Sequence, residues 1–483
     1  MRTPSRAVAL GLVTCSAAVA QSPLVESRFA RLESTTVLPA GNLDDAASGD
    51  IDGDGDLDIL GARRVHPLSI LINDGSGRFV NDAATRVVGA PGGFLPSHYY
   101  VDLADVDGDG DLDAMCGGHV RAVYLNDGAG VFTYSPNAVP AAFPFGTFSQ
   151  AVADFDGDGD VDWLLIEGNL HSAPDHRLYE NDGAGVFTDA SAAWLPSGIV
   201  EVTSMRMQQP RDLNGDGTLD VLLPTTGRVL LNTGSSFVFS PTQPFDPQGY
   251  AWPGFNALLR DLNGDGHVDI LAQGRRVLLN QGNAAFVDAS AVALAGSVNL
   301  DLSGQSAFPV AVFDVDSDGD VDIVRQGSID RNNGAGIFTT DSVRLPELPF
   351  LMYFVGDWDG DGDLEPPGLV NLLRHVDASA APQRGSEYVV RLHGRAGAIA
   401  TPGVLYAALG AAALPIPSIG TLRLDPASAV VLGGAPSTNP AHLFRLAVPN
   451  VPALAGATLH LQGVVLDPLV GLRLTNAIVD TVL

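Results

Sequence analysis

Short apolar runs alternate with turn-forming residues over most of the chain. One run precedes each acidic stretch, as at 151–153, and another follows it, as at 163–166. A third run ends in Asn-Asp-Gly or a related turn, and a run that contains Phe comes next. Such turns between apolar runs are the strongest local hairpin signal, because they need residues with positive φ. Each unit is therefore predicted to form four antiparallel strands.

The acidic stretch is a nonapeptide that occurs seven times. Its copies are residues 50–58, 105–113, 154–162, 212–220, 261–269, 314–322 and 357–365. They start 43 to 58 residues apart, which is the spacing of propeller blades. The pattern predicts an all-β fold with a seven-bladed β-propeller, in which the acidic loop joins the first strand of each blade to the second. The seventh unit lacks a Gly-x-Phe strand, and segment 27–37 is expected to supply it and close the ring.

Composition shifts suggest where the chain divides. Residues 1–20 have the charged, apolar and small-residue order of a secretory signal peptide, which predicts cleavage after Ala20 and export. The propeller is predicted at 21–378, a linker at 379–386 and a small C-terminal β-sandwich at 387–483. A lipid anchor on Cys15 is disfavoured because Thr14 precedes it, and no transmembrane segment is predicted. Cys116 is left without a partner cysteine and is expected in the core.

The acidic loops have the donor pattern of a calcium site. Hard cations such as Ca²⁺ coordinate six to eight oxygen ligands, and alternating carboxylates around a tight glycine turn supply them. The twelfth position holds residues such as Gly61 and Cys116 instead of a bidentate Glu, so the loop is not an EF-hand. Up to seven structural Ca²⁺ ions are predicted, the seventh site being the weakest or empty because Pro366 follows it. The predicted ligands are Asp50, Asp52, Asp54, Asp56 and Asp58; Asp105, Asp107, Asp109, Asp111 and Asp113; Asp154, Asp156, Asp158, Asp160 and Asp162; Asp212, Asn214, Asp216, Thr218 and Asp220; Asp261, Asn263, Asp265, His267 and Asp269; Asp314, Asp316, Asp318, Asp320 and Asp322; and Asp357, Asp359, Asp361, Asp363 and Glu365.

The charge balance supports the metal hypothesis. The 483 residues include 26 Arg, no Lys and 56 acids, which give a net charge of -30. The loops hold 31 of the acids, so the rest of the chain is nearly neutral. Nucleic-acid binding through a basic field is excluded, and so is chemistry that needs a lysine. Without metal the carboxylates of each loop would repel one another, so calcium is expected to be required for stability.

The combined motif resembles the FG-GAP/VCBS repeat family, the propeller type also seen in integrin α-subunits, over about residues 27 to 378. The Asp-x-Asp-Gly-Asp-Gly-x-x-Asp loop and the following Asn-Asp-Gly-x-Gly-x-Phe segment carry the resemblance. It implies a calcium-loaded propeller in a secreted or surface protein, commonly used for adhesion or carbohydrate binding. The tail looks like the small β-sandwich that ends many long secreted bacterial proteins.

A ligand surface is expected on the face opposite the calcium loops. The turns between second and third strands there are rich in arginine, and the blade-to-blade loops add aromatic residues. Arginine forks match carboxylate and sulfate groups, so an acidic glycan or an acidic protein patch is the expected ligand. The candidate residues are Arg63, Arg64, His98, Tyr99, Arg121, Arg177, Arg228, Trp252, Arg275 and Arg276. The alternative is that these arginines pair with carboxylates and that the aromatic rings pack between sheets.

No catalytic constellation is recognisable in the sequence. Neither Gly-x-Ser-x-Gly nor His-Glu-x-x-His occurs, and the histidines lack metal-ligand spacing. The sequence therefore favours a secreted, non-catalytic binding or adhesion module for an extracellular glycan or protein. A polysaccharide lyase or hydrolase on a calcium propeller is the first alternative, with His98, Tyr99 and Arg121 as its site. A structural cell-surface component is the second.

Overall fold

The fold is given by a computed structural model. It describes residues 29–31, 43–63, 66–75, 77, 79–91, 98–140, 146–168, 176–199, 209–223, 226–243, 257–272, 276–297, 309–315, 318–325, 328–340, 355–358, 364, 369–371, 376–378, 387–393, 401–408, 411–416, 420–424, 429–437, 441–447, 458–467 and 471–481. The chain divides into two compact units. One contains Phe29–Trp358 with Leu364–Leu369, and the other contains Val370–Leu483.

Within the described residues, the first unit is a propeller of six antiparallel blades. Chain order starts with β1 (Phe29–Arg31), which lies outside the blades. Blades 1 to 3 consist of β2 (Asp45–Gly49), β3 (Asp58–Ala62), β4 (Ser69–Asn73) and β5 (Phe79–Asn81); β6 (Val87–Val88), β7 (His98–Ala104), β8 (Asp113–Gly118), β9 (Ala122–Leu125) and β10 (Phe132–Ser135); and β11 (Gly146–Ala153), β12 (Asp162–Gly168), β13 (Arg177–Asn181) and β14 (Phe187–Asp189). The short β6 pairs in parallel with β10.

Blades 4 to 6 follow the same order. They consist of β15 (Val221–Leu223), β16 (Arg228–Asn232) and β17 (Phe237–Phe239); β18 (Ala257–Arg260), β19 (Asp269–Ala272), β20 (Arg276–Asn280) and β21 (Phe286–Asp288); and β22 (Pro309–Phe313), β23 (Asp322–Arg325), β24 (Ser328–Arg331) and β25 (Thr339–Thr340). In blade 4 an isolated bridge between Arg211 and Asp220 stands where the inner strand lies in the other blades. Three one-turn helices, α1 (Ala83–Arg86), α2 (Ser191–Trp194) and α3 (Ser290–Ala293), follow blades 1, 3 and 5.

The prediction of seven blades was wrong, because the structure has six among its described residues. The seventh unit has an acidic loop but no Asn-Asp-Gly turn and no Gly-x-Phe strand, and a loop alone does not make a blade. Its described strand, β26 (Leu369–Asn371), pairs with β1 in a two-stranded sheet, and the expected closure of the ring by the N-terminal segment stays a prediction. Val355 packs on the core of blade 6 and Trp358 on that of blade 1. Segment 355–358 therefore lies between these two blades.

The hydrophobic core lies between neighbouring blades. Ile51 and Leu60 of blade 1 pack with Val101, Cys116 and Tyr124 of blade 2, and similar clusters join the later pairs of blades. The Phe-containing run supplies part of this core, since Phe79, Phe132 and Phe338 are fully buried. Cys116 is buried and has no disulfide, as predicted.

A buried asparagine at the end of each third strand joins its blade to the preceding unit. Its side-chain Nδ2 donates to the carbonyl of the second residue of the preceding acidic loop. The pairs and their N···O distances are Asn73–Trp358 (2.7 Å), Asn126–Ile51 (2.8 Å), Asn181–Val106 (2.8 Å), Asn232–Phe155 (2.7 Å), Asn280–Leu213 (2.8 Å) and Asn332–Leu262 (2.8 Å). The first of these pairs ties blade 1 to the seventh acidic loop.

The second unit holds the remaining strands. They are β27 (Val376–Ala378), β28 (Glu387–His393), β29 (Thr401–Ala408), β30 (Ala411–Ile416), β31 (Gly420–Leu424), β32 (Val430–Ser437), β33 (Ala441–Ala447), β34 (Thr458–Asp467) and β35 (Gly471–Thr481). They form sheets of order β27-β28-β33, β32-β29-β34-β35 and β30-β31. The sandwich, the linker and the domain boundaries remain predictions. In the described part of the chain, no helix has the length and apolar character needed to cross a membrane.

Candidate metal centres

The first acidic loop is shaped by its own carboxylates. It leaves β2 at Asp50 and enters β3 at the ninth residue, as the sequence pattern predicted. The Asp50 carboxylate accepts hydrogen bonds from the backbone N–H of Gly53 (2.8 Å) and of Gly55 (3.0 Å). Both glycines have positive φ, 75° and 91°, which a residue with a Cβ adopts only at a cost. The glycines of the motif therefore allow the tight turn around Asp50.

Three carboxylates converge in each of the first three loops. In loop 1 they belong to Asp50, Asp52 and Asp58, whose ligand oxygens lie within 4.8 Å of one another. The equivalent groups are Asp105, Asp107 and Asp113 in loop 2, and Asp154, Asp156 and Asp162 in loop 3. These are the first, third and ninth positions of the motif. Oxygen donors on such a short turn suit a hard cation such as Ca²⁺.

The third position of the motif is the one that fits a metal most clearly. Oδ1 of Asp52 and Oδ1 of Asp107 are buried and have no hydrogen-bond partner among the described residues. A buried carboxylate oxygen without a partner costs free energy, and two other carboxylates lie beside it. A divalent cation would satisfy that oxygen and cancel the repulsion.

The ninth position links the loop to the blade. Asp58 accepts from the backbone N–H of Ile51 (2.9 Å) and of Asn73 (2.8 Å), so both of its oxygens are engaged. Burial raises the pKa of Asp58 to about 7, against the lowering effect of these two N–H groups. Burial likewise raises the pKa of Asp162 to about 7, and those of Asp113, Asp220 and Asp269 to about 6. A bound dication would act in the opposite direction and favour the ionised form.

Loops 4 and 5 differ because asparagine replaces the aspartate at the third position of the motif. Asn214 Nδ2 donates to Asp216 Oδ2 at 2.8 Å, and Asn263 Nδ2 donates to Asp265 Oδ2 at 2.9 Å. Burial acts to raise the pKa of Asp216, but the hydrogen bonds from Thr218 and Asn214 outweigh it, so the pKa is lowered. In both loops the side-chain amide of the asparagine thus compensates part of the charge of a neighbouring carboxylate. Thr218 also donates to the carbonyl of Asn232 at 3.0 Å, which holds the loop against its blade.

Loops 6 and 7 lie only partly within the described residues. In loop 6, Asp320 Oδ1 is buried and has no hydrogen-bond partner in the described part of the loop, and burial together with the charge of Asp318 raises the pKa of Asp320 to about 7. Asp316 of this loop lies outside the described residues. So do Asp359, Asp361, Asp363 and Glu365 of loop 7, of which Asp357 is described. The occupancy expected of the seventh loop stays a prediction.

The arginines of the opposite turns are held by residues of the propeller. Arg177 pairs with Asp189 at 2.9 Å, and Arg276 pairs with Asp288 at 3.7 Å. In each case the arginine starts the third strand of its blade and the aspartate ends the fourth. Arg228 holds the same position in blade 4, where its guanidinium carbon lies 3.3 Å from the ring centroid of Phe239. Pairing of these arginines with carboxylates was the alternative stated above, but its recurrence at one strand position was not predicted.

Blade 2 brings several of the other candidate residues close together. The Tyr99 and His119 rings meet edge to face with centroids 5.0 Å apart, and Arg121 lies 5.2 Å from the Tyr179 ring centroid. Arg121 also donates to the Tyr179 hydroxyl, which joins blade 2 to blade 3. Arg63 is partly exposed in the turn after β3. Arg64, Trp252 and Arg275 lie outside the described residues.

His98 does not belong to an exposed surface. Its side chain is fully buried in blade 2, where its ring nitrogens contact the Val120 carbonyl (3.2 Å) and the Tyr124 hydroxyl (3.3 Å). Burial lowers its pKa to about 4, against the raising effect of the Val120 carbonyl. The imidazole is therefore neutral near pH 7 and packs in the core.

Comparison with known families agrees with the repeat pattern. The model of the FG-GAP-like repeat matches residues 50–116, 105–165, 212–272 and 261–324. FG-GAP-like repeats occur in this chain. The matched stretches include the acidic loops of all six described blades and stop before the loop at 357–365. The matches therefore lie within the propeller. No curated protein matches the chain.

Proposed function

We propose that the chain is a secreted, calcium-stabilised β-propeller that acts as a non-catalytic binding or adhesion module. The observation that carries the calcium part is the carboxylate triad of loops 1 to 3, in which Oδ1 of Asp52 and of Asp107 is buried and has no hydrogen-bond partner among the residues that the structure describes. The FG-GAP-like repeats support the assignment, because such propellers are typically non-catalytic and common in extracellular proteins. At least loops 1 to 3 would then bind Ca²⁺, which supplies charge compensation and fixes the loops.

A single substitution in loop 2 tests the metal part of the proposal. In Asp107→Ala one ligand side chain of the triad is lost, so calcium uptake by the full chain should fall by one ion and stabilisation by calcium should shrink. Without metal the same variant should melt no lower than the wild type, because a repelling charge is gone. Asp189→Ala is the matched control, since Asp189 pairs with Arg177 away from the loops. Equal calcium uptake by wild type and Asp107→Ala would contradict the assignment.

The ligand of the module would be an extracellular glycan or an acidic protein patch. Support comes from blade 2, where Tyr99 lies near the start of β7 and His119 and Arg121 lie in the turn between β8 and β9, at the strand ends opposite the calcium loops. An aromatic ring and a guanidinium are suited to a sugar face and a carboxylate. Calcium-loaded protein tested on neutral, uronic and sulfated polysaccharides should bind the acidic ones, more weakly at high salt. Arg121→Gln should weaken that binding. Arg276→Gln is the comparison variant, because Arg276 is a candidate arginine in blade 5, away from the blade 2 residues.

A lyase or hydrolase centred on His98, Tyr99 and Arg121 is not favoured. The ring of His98 is enclosed, and its neutral form is fixed by burial, so it is not available to a polysaccharide. Failure to bind any of these polysaccharides would favour a protein ligand or a structural cell-surface role.

A further inference from the structure

One arginine contacts three different elements around the first acidic loop. Arg86 is the last residue of α1. Its Nε donates to Asp82 Oδ2 at 3.2 Å, its Nη1 to the Ala129 carbonyl at 2.5 Å and its Nη2 to Asp52 Oδ2 at 3.2 Å. Asp82 precedes the helix, Ala129 lies in the turn between β9 and β10, and Asp52 is the third residue of loop 1. The guanidinium therefore ties the acidic loop of blade 1 to the turn of blade 2.

The turn of blade 2 leaves space for this guanidinium. Gly130 has φ of 76°, and a Cβ at this position would collide with Arg86 Nη1 and come within 3.2 Å of Asp52 Cβ. Gly185 is the equivalent residue beside loop 2. A Cβ there would meet Asp107 Cβ at 3.5 Å, followed by Leu125 and Val106, and no arginine. In both loops this glycine lies against the aspartate at the third position. Of the two loops, only loop 1 has an arginine side chain beside that glycine.

The position of Arg86 has opposite electrostatic effects with and without metal. Its side chain is 19% exposed and that of Asp52 is 15% exposed, so solvent screens the ion pair only in part. Without metal the guanidinium offsets part of the repulsion among the loop carboxylates. With a dication bound to the same triad, it is a like charge beside the metal, and it already holds Oδ2 of one ligand.

We propose that Arg86 is a built-in counter-cation of loop 1, which makes this loop bind calcium more weakly than loop 2 and depend on it less for its shape. This inference rests on the proposed function, because it assumes that the triads bind calcium. It predicts unequal calcium sites within one propeller, set by a side chain that lies outside the repeat motif.

The test is a titration of the metal-free full chain with Ca²⁺ alone, in competition with a chromophoric chelator. In Arg86→Gln one binding step should become roughly tenfold tighter, because a positive charge near the ion is removed. Adding Asp52→Ala to that variant should abolish the gain, which assigns the step to loop 1. The melting temperature in EDTA should fall in Arg86→Gln, so that the interval between calcium-loaded and metal-free melts widens.

Arg177→Gln is the matched control. Arg177 also pairs with an aspartate, and its side chain is 22% exposed, but it lies away from the loops. Its calcium isotherm should coincide with that of the wild type. If the wild type takes up calcium but every calcium-binding step is unchanged or weaker in Arg86→Gln, this inference alone is overturned. A wild type that takes up no calcium would overturn the proposed function itself.

Discussion

Asn126 Nδ2 donates a 2.8 Å hydrogen bond to the carbonyl of Ile51, 75 residues earlier in the chain. Ile51 is the second residue of loop 1, and the backbone N–H of Asn126 is bound by Asp113, the ninth residue of loop 2, at 2.7 Å. A single asparagine thus connects two successive candidate metal loops. The same arrangement recurs at the later blades and makes the loops part of the interface between blades.

Substitution of this asparagine should destabilise the propeller. In Asn126→Ala the carbonyls of Ile51 and Leu112 lose a buried donor, and the free energy of unfolding should drop by about 1–3 kcal/mol. Urea unfolding in excess calcium measures the loss. Asn81→Ala is the control, because Asn81 makes one exposed bond of 3.3 Å to the Ala83 N–H. Equal stability of the two variants would show that the link between blades contributes little.

The stability of the metal-free protein should fall as pH rises. The pKa values of Asp58, Asp113, Asp162, Asp220, Asp269 and Asp320 are raised from 3.8 to about 6 or 7 in the fold. A carboxyl that is harder to ionise when folded adds stability below its unfolded pKa, and this stability is lost as pH rises through the folded pKa. His98 opposes the trend, because its lowered pKa costs stability as pH falls from 6.5 towards 4.

The measurement for this effect is a series of melts in EDTA between pH 4.5 and 8. These six aspartates outnumber the two histidines with a lowered pKa among the described residues, His98 and His460, so the melting temperature should decrease over this range. With calcium the dependence should weaken or reverse, because the ion binds the deprotonated carboxylates. A metal-free melting temperature that rises steadily with pH would contradict the assignment of these raised pKa values.

Two ion pairs of the propeller should differ greatly in their effect on stability. Arg325 Nε contacts Asp330 Oδ2 at 2.7 Å, and the two side chains are 3% and 0% exposed. Removal of one partner leaves a buried charge, so Arg325→Ala should cost about 3–5 kcal/mol of unfolding free energy. Arg276 and Asp288 are 3.7 Å apart with side chains 42% and 47% exposed. Arg276→Ala should therefore cost about 0–1 kcal/mol.

Chemical denaturation of both alanine variants in calcium compares the two costs. Because Arg325→Ala could fail to fold, Arg325→Met provides a second variant that keeps the aliphatic volume and still leaves Asp330 without its guanidinium partner, with the hydroxyls of Ser297 and Thr340 as its remaining donors. Similar unfolding free energies for the Arg325 and Arg276 variants would contradict the difference in burial.

The local part of the fold was predictable from the sequence. Loop boundaries, hairpin turns and buried residues such as Phe132 follow from short patterns that repeat along the chain. The number of blades was not predictable from the loops alone, because a blade also needs its turn and outer strand, which the seventh unit lacks. The bond from Asn126 to Ile51 joins residues far apart in the sequence, and no local periodicity encodes it.

The candidate metal site, like the fold, was predictable from the sequence only in part. The spacing of Asp50, Asp52 and Asp58 predicted which carboxylates converge, because all three belong to one tight loop. Arg86 was missed because it lies 34 residues from Asp52 and outside the motif. The exposure expected of His98 was wrong, because a strand position beside a loop does not reveal which way the ring points.

Removal of calcium tests the central claim most directly. A metal that binds only the folded state at a hundred times its Kd stabilises by about 2.7 kcal/mol per site, so three sites should shift the melt strongly. The full chain should take up at least three Ca²⁺ ions, and its melting temperature should fall by about 10 °C or more in excess EDTA. An unchanged melt in EDTA, with no calcium uptake, would contradict the account.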